Sequence, residues 1–383
     1  MDFSWPTEYL DYQQTVIQFA KDQLAEDAAQ LDQKATFPHD LWRACAEFGL
    51  QGLAAPQVYG GALPEVDFLR AILAMEGLGY ACPDNGLPFA LNAQMWTVQM
   101  PILHFGSEEQ KQRYLPPMVQ GEMIGAHAIT EAQAGSDAMS MQLVAKKVDG
   151  GYVLNGKKVL ITLGPACDFV LVFANANPAR GKWGISAFLV DRGTAGFIPS
   201  ERMPKMGMRA IPIGEMTFED CFIPTQQLLG SEGSGFAILN HSLEYDRCSI
   251  LAAQLGAMRR QLEQNITFVK QREQSGQSIG KFQSVANRIV DMRLRLETSQ
   301  LLLYKTAWLK QAGKPAMLEA AMLKLLLSEA FVTSSLDSMR NHGGMSYLVQ
   351  NGIEKDLRDA IGGVLYAGTS DIQRNIIAKL LGL

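Results

Sequence analysis

Hydrophobic residues at helical spacing dominate the first third of the chain. Val16, Phe19, Ala20 and Leu24 follow the i, i+3, i+4, i+8 pattern of one face of an α-helix. Prolines interrupt the following residues and predict several short helices instead of one long helix. These prolines are Pro38, Pro56, Pro64, Pro83 and Pro101. The pattern therefore predicts a helical N-terminal domain over residues 1–121.

Short apolar runs bounded by turn residues replace this pattern between residues 122 and 229. Residues 169–173 and 185–190 are typical of short strands. Asp149-Gly150-Gly151 and Asn155-Gly156, on either side of residues 152–154, are hairpin signals. We predict a small antiparallel β-domain for this region.

Helical spacing returns after residue 230 and continues to the end of the chain, which predicts a helical bundle over residues 230–383. One apolar stripe predicts a long amphipathic helix, with Arg288, Arg293 and Arg295 on its other faces. The stripe comprises Val285, Ile289, Met292, Leu296 and Leu303. Strands do not alternate with helices, so the predicted class is α+β, mostly α, and not a doubly wound fold. A Rossmann fingerprint after a strand is also absent from the sequence.

Composition narrows the class of function. Apolar residues make up 47% of the chain and charged residues 19%, which suits a large folded core. The net charge of -5 argues against a nucleic-acid partner. The 5 cysteines form no C-x-x-C pair, and the histidines lack the spacing of metal ligands, so we expect buried thiols and no metal. Without a leader-like start or an apolar run of about 18 residues, we expect a cytoplasmic protein outside the membrane.

Residues 128–137 hold the most informative motif. Thr130, Gly135 and Ser136 supply hydroxyl and backbone N–H donors on a loop that a flat ligand can approach closely. Such a loop suits a cofactor ring and a phosphate better than a protein core. The sequence therefore predicts a cofactor-binding loop ahead of the β-strands.

The loop is accompanied by Leu160-Ile161-Thr162 and by Tyr366-Ala367-Gly368-Thr369-Ser370-Asp371 near the C-terminus. With these motifs the chain resembles the acyl-CoA dehydrogenase family of FAD enzymes over essentially its whole length. The resemblance implies an N-terminal helical domain, a middle β-barrel, a C-terminal four-helix bundle and a homotetramer. It also implies FAD as the cofactor.

The resemblance assigns cofactor contacts to two groups of residues. The flavin ring is held by the loop and the strand after it, namely His127, Ile129, Thr130, Gly135, Ser136, Leu160, Ile161 and Thr162. Further dinucleotide contacts fall on Arg272, Phe282, Gln283, Arg340, Gly343, Gly344, Thr369 and Asp371, with Arg272 reaching a neighbouring subunit's cofactor. Leu160 stands where the family usually has an aromatic residue, Ser275 replaces a Phe, and Arg340 replaces a Gln.

The general base departs from the commonest family pattern. Most members carry a Glu at the position of Ala367, whereas a minority carries it on a helix just before an Arg. That position falls on Asp246, which precedes Arg247. A base must lie in a water-poor pocket to abstract a proton α to a thioester. We expect Asp246 to be the base and Arg247 its electrostatic partner. Glu244, about 200° round the helix, is the competitor.

Motifs around Asp246 and in the last residues of the chain most resemble the branch that oxidises aminoacyl or acyl groups on carrier proteins, such as prolyl groups. The predicted function is α,β-dehydrogenation of such a thioester by α-proton abstraction and hydride transfer to flavin N5, with Ser136, Glu244 and Arg247 contacting substrate. A CoA-ester dehydrogenase, a flavin monooxygenase and a redox-neutral or inactive thioester-binding protein remain alternatives, and the electron acceptor stays open. An acidic carrier would be attracted by basic residues. The candidates are Arg259, Arg260, Lys270 and Arg272.

Overall fold

The computed structural model describes residues 4–24 and 28–383, so residues 1–3 and 25–27 of the predicted first domain lie outside the described residues. The N-terminal part is helical. Its helices are Thr7–Gln23 (α1), Ala28–Lys34 (α2), His39–Glu47 (α3), Phe68–Ala81 (α4), Gly86–Gln94 (α5), Met100–Phe105 (α6) and Glu108–Val119 (α7). A π-helical turn, Met95–Gln99, joins α5 to α6. Val16, Ala20 and Leu24 are buried, as the helical spacing predicts.

The middle part is an eight-stranded sheet in the described residues. Its strands are Gly125–Ala128 (β1), Val144–Val148 (β2), Gly151–Thr162 (β3), Phe169–Asn175 (β4), Ile185–Asp191 (β5), Phe197–Pro199 (β6), Ile213–Pro224 (β7) and Leu228–Leu229 (β8). The strand order is β6-β7-β3-β2-β4-β5-β8, and β1 pairs with β4. Almost every residue of β4 and β5 is buried, which explains their continuous apolar sequences.

Two sequence expectations about this sheet are wrong. Asp149 and Gly150 do form the turn between β2 and β3, but Asn155-Gly156 lies inside β3. The register shifts between Leu154 and Gly156, so this dipeptide marks a β-bulge and not a second hairpin turn. The sheet is also mixed, because β1 and β2 both run parallel to β4.

Helices form the C-terminal part. They are Gly235–Ser249 (α8), Ala252–Gln271 (α9), Gln283–Gln311 (α10), Met317–His342 (α11), Ile353–Gly363 (α12) and Ser370–Leu380 (α13). A small hairpin, Glu273–Gln274 (β9) and Gln277–Ser278 (β10), separates α9 from α10. Met292, Leu296 and Leu303 of the predicted stripe are buried, and Val285 and Ile289 are half-buried. Arg295 is half-buried and donates to Asp337 of α11 at 2.5 Å.

The N-terminal and C-terminal helices cross very closely where α4 meets α9. A Cβ atom at Gly79 would lie 1.9 Å from the carbonyl oxygen of Ala253, and one at Gly256 would lie 2.0 Å from that of Glu76. Two glycines therefore let the two backbones touch. This contact sets the distance between the N-terminal helices and the bundle.

A buried polar cluster joins all three parts of the chain. Lys355 of α12 donates to Asp359 at 2.6 Å and to Asp84, before α5, at 3.1 Å. Asp359 also accepts from the backbone N–H of Met208, in the segment before β7, at 2.5 Å. Because these charges are paired and hydrogen-bonded, their attraction offsets part of the cost of burying them, and the cluster joins the sheet to both helical parts.

The helix crossing predicts a large stability loss for Gly256→Ala. The added methyl group must push α9 away from α4, and overpacking of this kind costs about 1–3 kcal/mol or more. Thermal unfolding of the purified protein should therefore begin at a lower temperature. Gly362→Ala is the control, because its Cβ would meet atoms no closer than 3.4 Å. Equal unfolding temperatures for the two variants would contradict the close crossing.

Candidate active site

The loop after β1 is fixed from below by a buried ion pair. The Glu131 carboxylate accepts from Lys158 Nζ at 2.8 Å and from the backbone N–H groups of Gln142 and Leu143 at 2.6 and 3.0 Å. Lys158 also donates to the carbonyl oxygen of Ile129 at 2.8 Å. Burial lowers the pKa of Lys158 to about 8, although Glu131 opposes the shift. The pair therefore anchors both ends of the loop to β3.

The structure brings the predicted loop and strand together as an exposed shelf. The backbone N–H of Val159 donates to the carbonyl oxygen of Thr130 at 2.8 Å, next to residues 160–162 of β3. Gly135 and Ser136 are exposed, and Ile161 is buried beneath. Leu160 has a φ of 59° and a 57% exposed side chain, which turns it out of the sheet.

Several polar groups on this shelf are available to a ligand. The hydroxyl groups of Thr130, Ser136 and Thr162 make no hydrogen bond within residues 4–24 and 28–383. Unlike these hydroxyls, the Nε2 atom of His127 is buried and closed to a ligand, and it has no hydrogen-bond partner among the described residues. Burial lowers the pKa of His127 to about 3, so its ring is neutral. The three hydroxyls suit the polar edge of a flavin.

The predicted contacts to the dinucleotide arm lie at one end of the bundle. Arg272 caps the C-terminus of α9, Phe282 and Gln283 begin α10, and Arg340, Gly343 and Gly344 lie at the end of α11. Contacts between the helix ends hold this region together. They are the stacking of Phe268 on His342, with ring centroids 4.1 Å apart, and the bonds of Asn341 with Arg288 at 2.8 Å and Asn265 at 3.0 Å.

This bundle end is separate from the shelf. Among the described residues, none of the hydrogen bonds links Arg272 or Arg340 to the loop of residues 127–136. Thr369 and Asp371 lie elsewhere again, in the first turn of α13. Thr369 caps the backbone N–H of Ile372 at 3.3 Å, and Asp371 pairs with Arg374 at 3.1 Å. Within one chain, the predicted cofactor contacts therefore fall into three groups, at the shelf, at the bundle end and in the first turn of α13.

Asp246 is buried at the junction between α8 and α11. The residue is 4% exposed, and its Oδ1 atom has no hydrogen-bond partner in the described part of the chain. Burial raises the pKa of Asp246 to about 7, while the charges of Arg247 and Lys324 oppose the shift. This carboxyl group is therefore poised to exchange a proton near neutral pH.

Lys324 of α11 is the second charged group at this junction. It is fully buried, and its Nζ atom has no hydrogen-bond partner among the described residues. Burial lowers the pKa of Lys324 to about 8, and Asp246 opposes the shift. Each group therefore offsets part of the other's desolvation through charge alone.

The C-terminal turn closes the junction from a third side. Arg247 Nε donates to the carbonyl oxygen of Ala367 at 3.4 Å, and Gln373 Nε2 donates to the same oxygen at 3.1 Å. Ala367 adopts a φ of 52°, a left-handed conformation held by these bonds. Tyr366, whose hydroxyl accepts from Gln254 at 2.6 Å, has its pKa raised by burial and by Asp246.

Glu244 faces away from Asp246. Its carboxylate lies 3.1 Å from Lys310 Nζ of α10, and that ammonium sits 3.9 Å from the ring centroid of Tyr245. Tyr245 in turn stacks on Trp96 at 5.8 Å. Glu244 therefore contributes to an ion pair at a cleft of about 490 Å³ between the N-terminal helices and α10. Glu244 and Asp246 therefore lie on different sides of α8, as their spacing in the sequence predicts.

Two charged residues of the site, Lys324 and Lys158, were not predicted from the sequence. Lys324 is a single lysine within the apolar run 320–327, and Lys158 occupies an inward position of β3. A lone charge in an otherwise buried position is the signal that points to both. Its partner cannot be read from sequence, because Glu131 is 27 residues from Lys158 and Asp246 is on another helix.

Comparison with known proteins identifies the family. Profiles of the N-terminal, middle and C-terminal domains of acyl-CoA dehydrogenases match residues 6–122, 126–221 and 233–382. The chain belongs to the acyl-CoA dehydrogenase family. The resemblance drawn from the motifs is confirmed, and so is the mostly α, α+β fold class.

Relatives within this family match over the whole chain. L-prolyl-(peptidyl-carrier protein) dehydrogenase of Serratia sp. is 39% identical over 100% of this chain and 99% of that protein. The crystal structure of the prolyl acyl carrier protein oxidase AnaB is 46% identical, covers 99% of this chain and 100% of its own, and has a TM-score of 0.97. A structure of PigA with FAD and proline is 39% identical, covers 100% of both chains and has a TM-score of 0.98.

The structure gives two further observations on binding sites. Among residues 4–24 and 28–383, no group of three or more His, Cys, Asp or Glu side chains could hold a metal ion. No helix within the same residues has the length and apolar character needed to cross a membrane.

The charge at the junction predicts a pH effect of Lys324→Met. The positive charge of Lys324 lowers the pKa of Asp246, whereas burial raises it. Without that charge the pKa of Asp246 should rise above about 7. The pH of half-maximal flavin reduction by a thioester substrate should increase by roughly one pH unit. Lys324→Arg keeps the charge and should preserve the wild-type profile. Superimposable profiles for Lys324→Met and the wild type would show that the two groups do not interact.

Proposed function

We propose that this protein is an FAD-dependent dehydrogenase that oxidises a prolyl or related aminoacyl group held as a thioester on a carrier protein. The observation that carries the proposal is the buried, unbonded Asp246 carboxyl, whose pKa lies at about 7. Support for the substrate class comes from relatives named as prolyl-carrier-protein dehydrogenases that match the whole chain at 39% identity.

FAD fits the residues of the shelf. The ring would be held by the free hydroxyls of Thr130 and Ser136 and by the region of residues 160–162, over a loop fixed by the Glu131–Lys158 pair. When bound, FAD supplies the acceptor for the hydride that leaves the substrate's β carbon. Leu160 would cover the flavin with an aliphatic side chain where the family usually has an aromatic one.

Asp246 provides the proton chemistry. Its ionised carboxylate accepts the α proton of the thioester, and burial raises its basicity above that of an exposed aspartate. Arg247 and Lys324 keep a useful fraction ionised near neutral pH. An Asp side chain is one methylene shorter than a Glu, so the substrate must approach α8 closely to reach hydrogen-bonding distance, roughly 2.6–3.2 Å.

We further propose a homotetramer in the cytoplasm, with Arg272 of each chain reaching a neighbour's cofactor. Support for self-association comes from α10, which carries an exposed apolar stripe on the face opposite its buried residues. The stripe comprises Val290, Leu294, Leu301 and Trp308, each 50–64% exposed. Exposed apolar area of this extent is typical of surfaces that bind another chain.

Anaerobic titration tests the substrate class. Addition of L-prolyl peptidyl-carrier protein to the FAD-loaded protein should bleach the flavin absorption near 450 nm, to an extent set by the amount of carrier. Thioesters of CoA with straight acyl chains serve as the comparison and should bleach it slowly. Bleaching by CoA esters alone would favour the CoA-ester alternative. In a separate aerobic incubation, incorporation of oxygen into the product would favour a monooxygenase.

Asp246→Asn should abolish exchange of the substrate α proton with solvent. General-base catalysis contributes about 10²–10⁴-fold, so we expect a loss of at least about 100-fold while FAD remains bound. The measurement is deuterium uptake by the prolyl thioester, followed by mass spectrometry. Glu244→Gln is the matched control on the same helix and should retain exchange. The assignment is wrong if Asp246→Asn exchanges at the wild-type rate.

A further inference from the structure

An exposed cluster of cations and aromatic rings lies at the start of α8, on the segment between β4 and β5. We define the basic-aromatic patch as Lys147, Arg180, Lys182, Trp183 and Phe236. Lys182 Nζ lies 4.4 Å from the ring centroid of Phe236 and 5.1 Å from that of Trp183. The Trp183 and Phe236 centroids are 5.3 Å apart. Trp183 nevertheless remains 51% exposed.

The two remaining cations lie around one acidic residue of the same surface. Lys147 Nζ binds Glu232 at 2.8 Å. A Cβ atom built at Gly233 would lie 3.5 Å from Arg180 Nη1, so the guanidinium adjoins the same turn. With three cations and one carboxylate, the surface carries a net positive charge on a protein whose overall charge is -5. This surface is therefore locally positive although the protein as a whole is negatively charged.

The position of the patch connects it with the catalytic junction. It flanks the first residue of α8, Gly235, and Asp246 follows eleven residues later on this helix, about 16 Å along the axis. The segment Pro178–Gly184 also packs against Ala138–Ser140, which continues the loop that carries Ser136. The patch is thus connected both to the helix that carries Asp246 and to the loop that carries Ser136.

Two of the residues that the sequence put forward for carrier docking, Arg259 and Arg260 of α9, are less suitable. Arg260 is only 14% exposed and donates to the carbonyl oxygens of Gly79 and Cys82, at 2.7 Å each. Arg259 pairs with Glu263 at 3.2 Å. These two arginines bind within the chain, and Arg260 supports the crossing of α4 and α9 instead of a partner.

We propose that the basic-aromatic patch is the docking surface for the acidic carrier protein that delivers the thioester. The inference rests on the proposed function and adds the place where the partner binds. The cations attract the carrier's acidic surface and the phosphodiester of its prosthetic arm. Trp183 supplies a large exposed ring of the kind that dominates binding energy at protein interfaces. The arm then extends along α8 to Asp246.

Binding of L-prolyl peptidyl-carrier protein to the FAD-loaded enzyme tests this surface directly. Arg180→Glu/Lys182→Glu should raise the Kd at least about tenfold, mainly through slower association, and added salt should reduce the difference. Trp183→Ala should raise the Kd by about tenfold as well, with little dependence on salt. Lys21→Glu/Arg43→Glu, on exposed positions of α1 and α3, is the charge-matched control and should bind like the wild type.

Turnover of three substrates separates docking from other roles. Turnover of the L-prolyl N-acetylcysteamine thioester should be unchanged in Arg180→Glu/Lys182→Glu, while KM for the carrier substrate rises at least tenfold. Equal losses with both substrates would overturn the proposal, because the patch would then act on the catalytic site. L-Prolyl-CoA is the third substrate. If the variant raises KM for L-prolyl-CoA as much as for the carrier substrate, the patch recognises only a phosphate group, and the proposal is also overturned.

The binding assay keeps this inference distinct from the proposed function. If no prolyl thioester is oxidised, the proposed function fails, yet the comparison of Kd values still decides the docking surface. Unchanged carrier affinity in both Arg180→Glu/Lys182→Glu and Trp183→Ala would refute the surface even if the enzyme oxidises prolyl thioesters.

Discussion

The carboxyl group of Asp246 is buried at the meeting point of α8, α11 and the turn before α13, and the remainder of the site depends on this burial. An ionised carboxylate without hydrogen bonds is costly in such a place. Arg247 and Lys324 offset that cost by their charges and leave the pKa at about 7. Had Asp246 been hydrogen-bonded to either cation, it would be a weaker base. The absence of those bonds among the described residues is what gives this junction its proposed chemistry.

The shelf and the base belong to different parts of the chain, so their relative position must be fixed. Three contacts do this. The Glu131–Lys158 pair fixes the loop on the sheet, the crossing at Gly79 and Gly256 fixes α4 against α9, and the Lys355 cluster joins both helical parts to the segment before β7. These contacts are polar or backbone contacts and set exact separations, whereas a purely apolar core tolerates small shifts.

Periodicity in the sequence predicted most of the fold, because it records which side of an element is buried. The Val16 stripe and the apolar runs of β4 and β5 are examples. The prediction of a hairpin turn at Asn155-Gly156 was wrong because a β-bulge and a hairpin turn favour the same residues. Parallel pairing of β1 with β4 joins residues 44 positions apart and leaves no local signal. Lys324 was overlooked and Arg260 was wrongly predicted to bind a carrier, because a charged residue on a helix is usually solvated. Only the tertiary structure shows that these two side chains are enclosed.

Direct titration of the Asp246 carboxyl group in the FAD-loaded wild-type protein tests the central claim most directly. Isotope-edited infrared spectroscopy can follow the protonated carboxyl C=O band of labelled aspartate, with Asp246→Asn identifying the band. The account predicts a carboxyl group that is half-protonated at about pH 7. A carboxyl group that is half-protonated at about pH 4, as for an ordinary exposed aspartate, would contradict it.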